Sequence, residues 1–337
     1  MKKLPLLPDV SDMRHLFQFV WKISARDQLY LCLLAILVFL IDLAPLDLQR
    51  RITNAVVVEH DFATVLLLAL VYVTANAMLG GLKYAMNVYR GSVTESANRS
   101  LRLSENLIRT LRAQGEGEAE VERMGTVVSI VVSEVEDIGD FVGASFSSPV
   151  LNVGILLSVF CYMLFFQPWV ALLALLLSVP QVVFIPILQN SINLRAQQRI
   201  QTVRHIGADI IGEKSDAARE HTRGFSERVQ QVYDLNMQIY RRKFAITLLM
   251  NLLYHLSTIG VGVVGSWLVL RGKTEVGTVV AFISGLSRMN DPWGEIVDYF
   301  RNLTNSTVKY RMIRQAFGED AVAPQLAGPS ISSQPHS

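Results

Sequence analysis

The sequence predicts an all-α membrane protein, with six transmembrane helices joined by two long cytoplasmic helical hairpins, and three observations carry this reading. Of the 337 residues 51% are apolar and only 18% are charged, where a soluble globular chain carries about 25% charged residues. Six apolar stretches are each long enough to cross a hydrocarbon core of about 30 Å, which takes roughly 20 helical residues. The basic residues fall almost entirely on alternate connections. The net charge of +2 gives no electrostatic reason to expect nucleic acid as a partner.

The N-terminal residues 1–27 read as a cytoplasmic segment. Met13, Leu16, Phe17, Val20 and Trp21 recur there at three- and four-residue spacing behind Ser11 and Asp12, residue types that cap helices. This pattern predicts an amphipathic helix along the membrane interface. The basic start Met1-Lys2-Lys3 is followed at once by Pro5, Pro8 and Asp9, so a cleaved signal peptide is not expected.

A membrane domain over 28–317 follows, with spans at 29–46, 62–82, 146–166, 169–188, 244–270 and 276–300. Only Gln167 and Pro168 separate the third from the fourth, which predicts a tight antiparallel hairpin. The two cysteines, Cys32 and Cys161, sit inside apolar runs; they read as small buried hydrophobes and not as a disulfide framework or zinc site. The sixth span is the least apolar and holds Arg288, Asp291, Glu295 and Asp298. At about 100° per residue these fall within roughly a 100° arc of one face. Such a stripe is costly in lipid. Either it lines a water-filled cavity, or Arg288 pairs with Asp291 inside the bundle while the last two charges lie at the membrane border.

Orientation follows from the Lys and Arg residues. Of 31, 25 lie in the termini and in the connections 89–140 and 189–243, and only Arg50, Arg51, Arg271 and Lys273 lie in the alternate ones. By the positive-inside rule both termini are cytoplasmic. The two internal connections carry apolar residues at helical spacing and read as helices continuing out of the membrane. In the first, Leu101, Leu103, Leu107, Ile108 and Leu111 lead to Gly115 and Gly117, then to Glu116, Glu118, Glu120 and Glu122, and a returning helix carries Val127 to Ile138. The first hairpin has net charge −4 and the second +4, so the two attract one another or present distinct faces to a partner. The tail 318–337 is rich in Pro, Ser, Gly and Ala and is expected to be disordered.

Catalytic motifs are scarce. The Gly272-Lys273-Thr274 triplet has Trp267 where a phosphate-cradling loop needs its earlier glycine, and it sits in a short outer connection, so it is not a P-loop. Gly260, Gly262 and Gly265 in the fifth span suit close helix packing. His205 and Asp209, four apart, do not make a metal site by themselves. Ser148 and His255 belong to no nucleophile motif. Catalysis by this chain alone is not expected.

Three stretches resemble the six-helix transmembrane domain of ABC exporters, and the likeness extends to about Phe317. They are Ala97-Asn98-Arg99-Ser100-Leu101-Arg102; Gly125-Thr126-Val127-Val128-Ser129 through Glu134-Val135-Glu136-Asp137-Ile138; and Gly277-Thr278-Val279-Val280-Ala281-Phe282-Ile283, with Pro292 and Tyr310-Arg311-Met312-Ile313 after it. Ile130 and Glu134 stand where the family usually has arginine and aspartate. Most members continue into a nucleotide-binding domain, whereas this sequence has no Walker motif and no ABC signature sequence. The resemblance implies a permease subunit in the cell (inner) membrane that moves a substrate by alternating access. It implies a second transmembrane subunit, identical or not, and a separate ABC ATPase subunit carrying ATP and Mg. Arg288, Asp291, Asp42 and Lys83 are then the candidate cavity residues, and Glu116, Glu118, Glu120, Glu122, Glu213 and Lys214 the candidate coupling residues. Two other classes stay open: a proton-driven transporter of the same fold, with Asp42 and Asp291 as proton carriers, and a non-transporting membrane interaction subunit.

Overall fold

A computed structural model describes residues 10–102, 135–211 and 218–317, and nearly all of them are helical. The two hairpin tips and the C-terminal tail therefore lie outside the described residues.

Helix α1 (Val10–Ile41) begins ahead of Ser11, which places Asp12 in its first turn rather than at the cap. The amphipathic segment and the first span form one helix with a kink at Ser24 (φ −138°, ψ 30°). Side-chain hydrogen bonds bridge the kink. Ser24 Oγ donates to the Val20 carbonyl at 3.0 Å, and Gln28 Nε2 donates to Ser24 Oγ at 3.2 Å and to the Val142 carbonyl at 2.7 Å. The helix stops at Ile41 because Pro45 has no N–H for the Ile41 carbonyl and its ring crowds that oxygen. After the break at Asp42, α2 (Leu43–Asn54) leads into one π-helical turn, Ala55–Glu59. His60 then takes a left-handed conformation, φ 53°.

Asp61 caps α3 (Phe62–Arg102) by accepting from the Ala63 amide at 3.0 Å and from the Thr64 hydroxyl. These hydrogen bonds, the Thr64 hydroxyl first, hold its carboxyl below the usual range. Helix α3 is unbroken for 41 residues, so the second span runs on into the first hairpin as expected. Helices α4 (Val135–Ala144), α5 (Ser147–Phe166) and α6 (Pro168–Ile211) follow. Gln167 alone joins α5 to α6, and Pro168 occupies a first helical position where its missing N–H costs nothing. Helix α7 (Ala218–Leu270) ends at Gly272, φ 68°. Lys273 N donates to the Leu268 carbonyl and Gly272 N to the Val269 carbonyl, both at 2.9 Å, which is the bonding of a Schellman stop. The Gly-Lys-Thr triplet is thus a helix terminator. Helix α8 (Val276–Phe317) closes the described chain.

Among the described residues four helices are long and apolar enough to cross a membrane, Ser11–Val58, Phe62–Arg102, Ser147–Phe166 and Gly224–Leu270; the apolar run in α6 is shorter, Pro168–Leu177. Leu248, Leu252, Leu256, Ile259 and Val263 form an exposed row along α7, and Leu66, Leu67, Leu70 and Val73 do the same on α3. Such continuous apolar surface suits lipid or a partner helix. Cys161 is exposed and Cys32 half-buried, which corrects the expectation that both are buried; on an apolar spanning helix, lipid accepts a thiol as readily as a protein core does.

The chain divides into two compact units. The first comprises Met1–Ile41, Asn76–Gly154 and Asp298–Ser337. Its core joins Leu16, Phe19 and Val20 of α1 to Met86, Val93 and Ala97 of α3, Ile138, Phe141 and Val142 of α4, and Leu303 and Tyr310 of α8. Most of the apolar stripe of the amphipathic segment is therefore taken up by protein, while Trp21 stays exposed and meets the Phe146 ring edge-on. Gly139 and Gly143 let α4 lie directly on α3, since a Cβ on either would collide with Asn98 or Thr94. The end of α8 is pinned by ion pairs from Lys309 to Asp137 and from Arg311 to Asp12.

The second unit comprises Asp42–Ala75 and Ile155–Val297. Here α6 and α7 lie side by side. Gly260 meets Leu177 and Leu173 of α6 and Gly265 meets Val279 of α8, so the expected close packing holds at these two. Nothing lies within 4 Å of a Cβ placed at Gly262.

Candidate functional site

Within the second unit, the charges of α8 sort themselves by burial. Asp42, at the break that Pro45 creates, is only 4% exposed. A carboxylate so buried calls for a partner, and Arg288 supplies one. Arg288 Nη1 donates to Asp42 Oδ1 at 2.9 Å and to the Asp42 carbonyl at 3.2 Å, with 24% of the arginine side chain exposed. One guanidinium thus serves both the side chain and the backbone of the break. The alternative pairing of Arg288 with Asp291 does not form. Asp291 is exposed, and the guanidinium is taken up by the buried carboxylate instead.

Asp291 and Glu295, one helical turn apart, are both exposed and make no ion pair among the described residues. Between them Pro292 is buried inside the helix. Lacking an N–H, it leaves the Arg288 carbonyl without its helical donor and loosens the turn that carries the charges. Asp298, assigned to the first unit, pairs with Arg301 at 3.0 Å. The arrangement offers two accessible carboxylates beside a closed ion pair. It can bind a cation or a polar group.

A second polar cluster of this unit lies at the α2 end, and sequence reasoning missed it. Asp47 accepts from Arg50 at 3.1 Å, from Arg51 at 2.6 Å and from the Tyr162 hydroxyl at 3.4 Å. Arg50 also reaches Glu275 at 3.3 Å and lies 4.4 Å from the centre of the Phe166 ring. Asn54 donates to Glu275 and accepts from the Gly277 amide at 2.9 Å. Gly277 is a packing requirement, because a Cβ there would strike the Arg50 carbonyl. Gln167 adds a bond to the Lys273 carbonyl at 2.7 Å. The sequence signal was present in Gly277 and in the only arginines of that connection, but nothing in it indicated that they meet.

Of the candidate cavity residues the structure brings Arg288 and Asp42 together, with Asp291 on the next turn of α8. Lys83 is half-buried on α3 and belongs to the first unit. All six coupling candidates, Glu116, Glu118, Glu120, Glu122, Glu213 and Lys214, lie outside the described residues.

Residues 29–210, more than half of the chain, match the family described as the ABC transporter transmembrane region. The chain belongs to that family. No curated protein is matched. The matched stretch runs from α1 to the end of α6 and includes Ala97–Arg102, of which Ala97, Asn98 and Leu101 are buried. It stops short of Gly277–Ile283, where the likeness had been most specific. As an ABC transporter transmembrane region with four long apolar helices, the chain is an integral membrane protein. ABC membrane domains generally pair with ATPase domains, and no ATPase domain is identified within this sequence.

Proposed function

We propose that the chain is the permease subunit of an ABC-type exporter, working by alternating access between two membrane subunits. Six crossings form each half, with α6 and the first part of α8 completing the four long apolar helices. ATP hydrolysis, with its Mg, is carried out by a separate ATPase subunit docked on the hairpins, and both termini lie in the cytoplasm.

The observation that supports a transport path is the exposure of Asp291 and Glu295. At 1.5 Å per residue Asp291 sits about 22 Å along α8 from Val276, well within a core about 30 Å thick. An uncompensated carboxylate at that depth costs about 2.5 kcal/mol or more in lipid. Water in a cavity shared with the second subunit removes that cost. The Arg288–Asp42 pair fixes the helix carrying them without occupying them.

The same exposed carboxylate favours a second reading, a proton-coupled transporter with Asp291 as carrier. Purification of the tagged chain from its native membrane, followed by assays of co-purifying ATPase and vanadate-sensitive hydrolysis, separates the two. A stoichiometric ATPase whose binding is lost when the glutamates at 116–122 are replaced supports the split exporter. Flux that continues without ATP and collapses with the proton gradient overturns it in favour of the second reading, and no flux under either drive reduces the chain to an interaction subunit.

A further inference from the structure

On the α6–α7 pair two arginines meet over one neutral hydroxyl. Arg195 Nη1 donates to Ser191 Oγ at 2.6 Å and to the Ser191 carbonyl at 2.9 Å, and its Nε donates to Gln238 Oε1 at 2.9 Å. From α7, Arg242 Nε reaches the same Ser191 Oγ at 2.9 Å, and its Nη1 donates to the Gln238 carbonyl at 3.0 Å. Neither arginine has a carboxylate partner among the described residues. Desolvation, then the neighbouring Arg242 charge, lower the Arg195 pKa. Arg199, Arg241 and Lys243 add to the positive patch, and the nearby Asp234 is engaged by Gln230 at 3.2 Å.

Like charges this close cost free energy unless a counter-charge sits over them. Both arginines, meeting at one oxygen, also have donors left over. The Nη2 groups of both arginines and the Ser191 O–H have no acceptor among the described residues. Such a set fits an anion rich in acceptor oxygens, and guanidinium forks match phosphate geometry.

Position selects the class of phosphate. Arg241, Arg242 and Lys243 directly precede the apolar run that opens at Phe244, and the Tyr240 and Phe244 rings stack with centroids 6.3 Å apart. Aromatic and basic residues together mark the headgroup layer. On α6, Ser191 lies three residues, about 5 Å, beyond the expected span 169–188. We propose that Ser191, Arg195 and Arg242 form a binding site for the phosphodiester of an anionic phospholipid in the cytoplasmic leaflet, where basic pockets between helices hold such headgroups.

The test uses the full chain purified in detergent and titrated with phosphatidylglycerol, phosphatidylcholine or inorganic phosphate. Melting temperature and lipid adducts in native mass spectrometry are the readouts. Phosphatidylglycerol is expected to raise the melting temperature and remain bound, with no comparable effect of phosphatidylcholine. The double variant R195Q/R242Q should bind it roughly tenfold more weakly or worse, whereas R271Q, at the far end of α7, should bind as wild type does. Should the double variant fail to fold, S191A and R242K carry the comparison and are also expected to bind more weakly. Equal binding by wild type and variants overturns the site. A response to inorganic phosphate that matches the lipid's overturns the lipid as its source.

Discussion

Arg288 on α8 holds Asp42 at the α2 start by both its Oδ1 and its backbone carbonyl, at 2.9 and 3.2 Å. Removing Arg288 takes the ion-pair partner from a buried carboxylate, and breaking a buried pair costs about 3–5 kcal/mol. Arg288→Met should therefore lower the melting temperature in detergent sharply. The double variant R288M/D42L, which removes both charges, should recover most of the loss. A double variant as unstable as the single would show that the pair's charges are not what α8 needs here.

Asp291 and Glu295 are exposed and make no ion pair or side-chain hydrogen bond among the described residues. Asp291→Asn and Glu295→Gln are expected to change stability by no more than about 0.5 kcal/mol, while altering flux or substrate preference in reconstituted vesicles. Unchanged transport by both folded variants would remove them from the path.

Gly277 and Gly91 should respond oppositely to alanine. A Cβ at Gly277 meets the Arg50 backbone carbonyl, which cannot move aside, so Gly277→Ala is expected to cost about 1–3 kcal/mol. Nothing lies within 4 Å of a Cβ at Gly91 on α3. There the gain in helix propensity predicts about 0.5–1 kcal/mol of stabilisation, read as a higher melting temperature for Gly91→Ala.

The Asp61 cap makes the start of α3 sensitive to acid. Its folded pKa lies below the ordinary value of 3.8, so its contribution is complete above that value and is lost as pH falls through the folded pKa. Hydrogen exchange of the first turn of α3, corrected for intrinsic rates, should stay flat down to about pH 4 and accelerate below it. In Asp61→Ala the acceleration should already be present at neutral pH.

The helices themselves were legible because length and apolar run depend on local composition. The run-on of the second span into its hairpin, the Gln167 link and the charged face of α8 could all be read directly. The break at Asp42 was not placed, although Pro45 marks it, because the apolar pattern continues through it. Gly139 and Gly143 carry a small-residue spacing that was passed over, and its meaning appears only where Asn98 and Thr94 fill the space. Arg195 and Arg242 were counted for orientation and not read with Ser191 as a cluster, since residues 51 apart share a site only once α6 and α7 pair.

By itself the sequence determined that this protein is helical and membrane-embedded, resembles the ABC exporter membrane domain and bears charges on α8, because hydrophobic length and helical periodicity are properties of consecutive residues. Tertiary structure alone decided that Arg288 answers Asp42 and leaves Asp291 and Glu295 open. The choice depends on which carboxylate loses its water, and desolvation is set by residues distant in the chain.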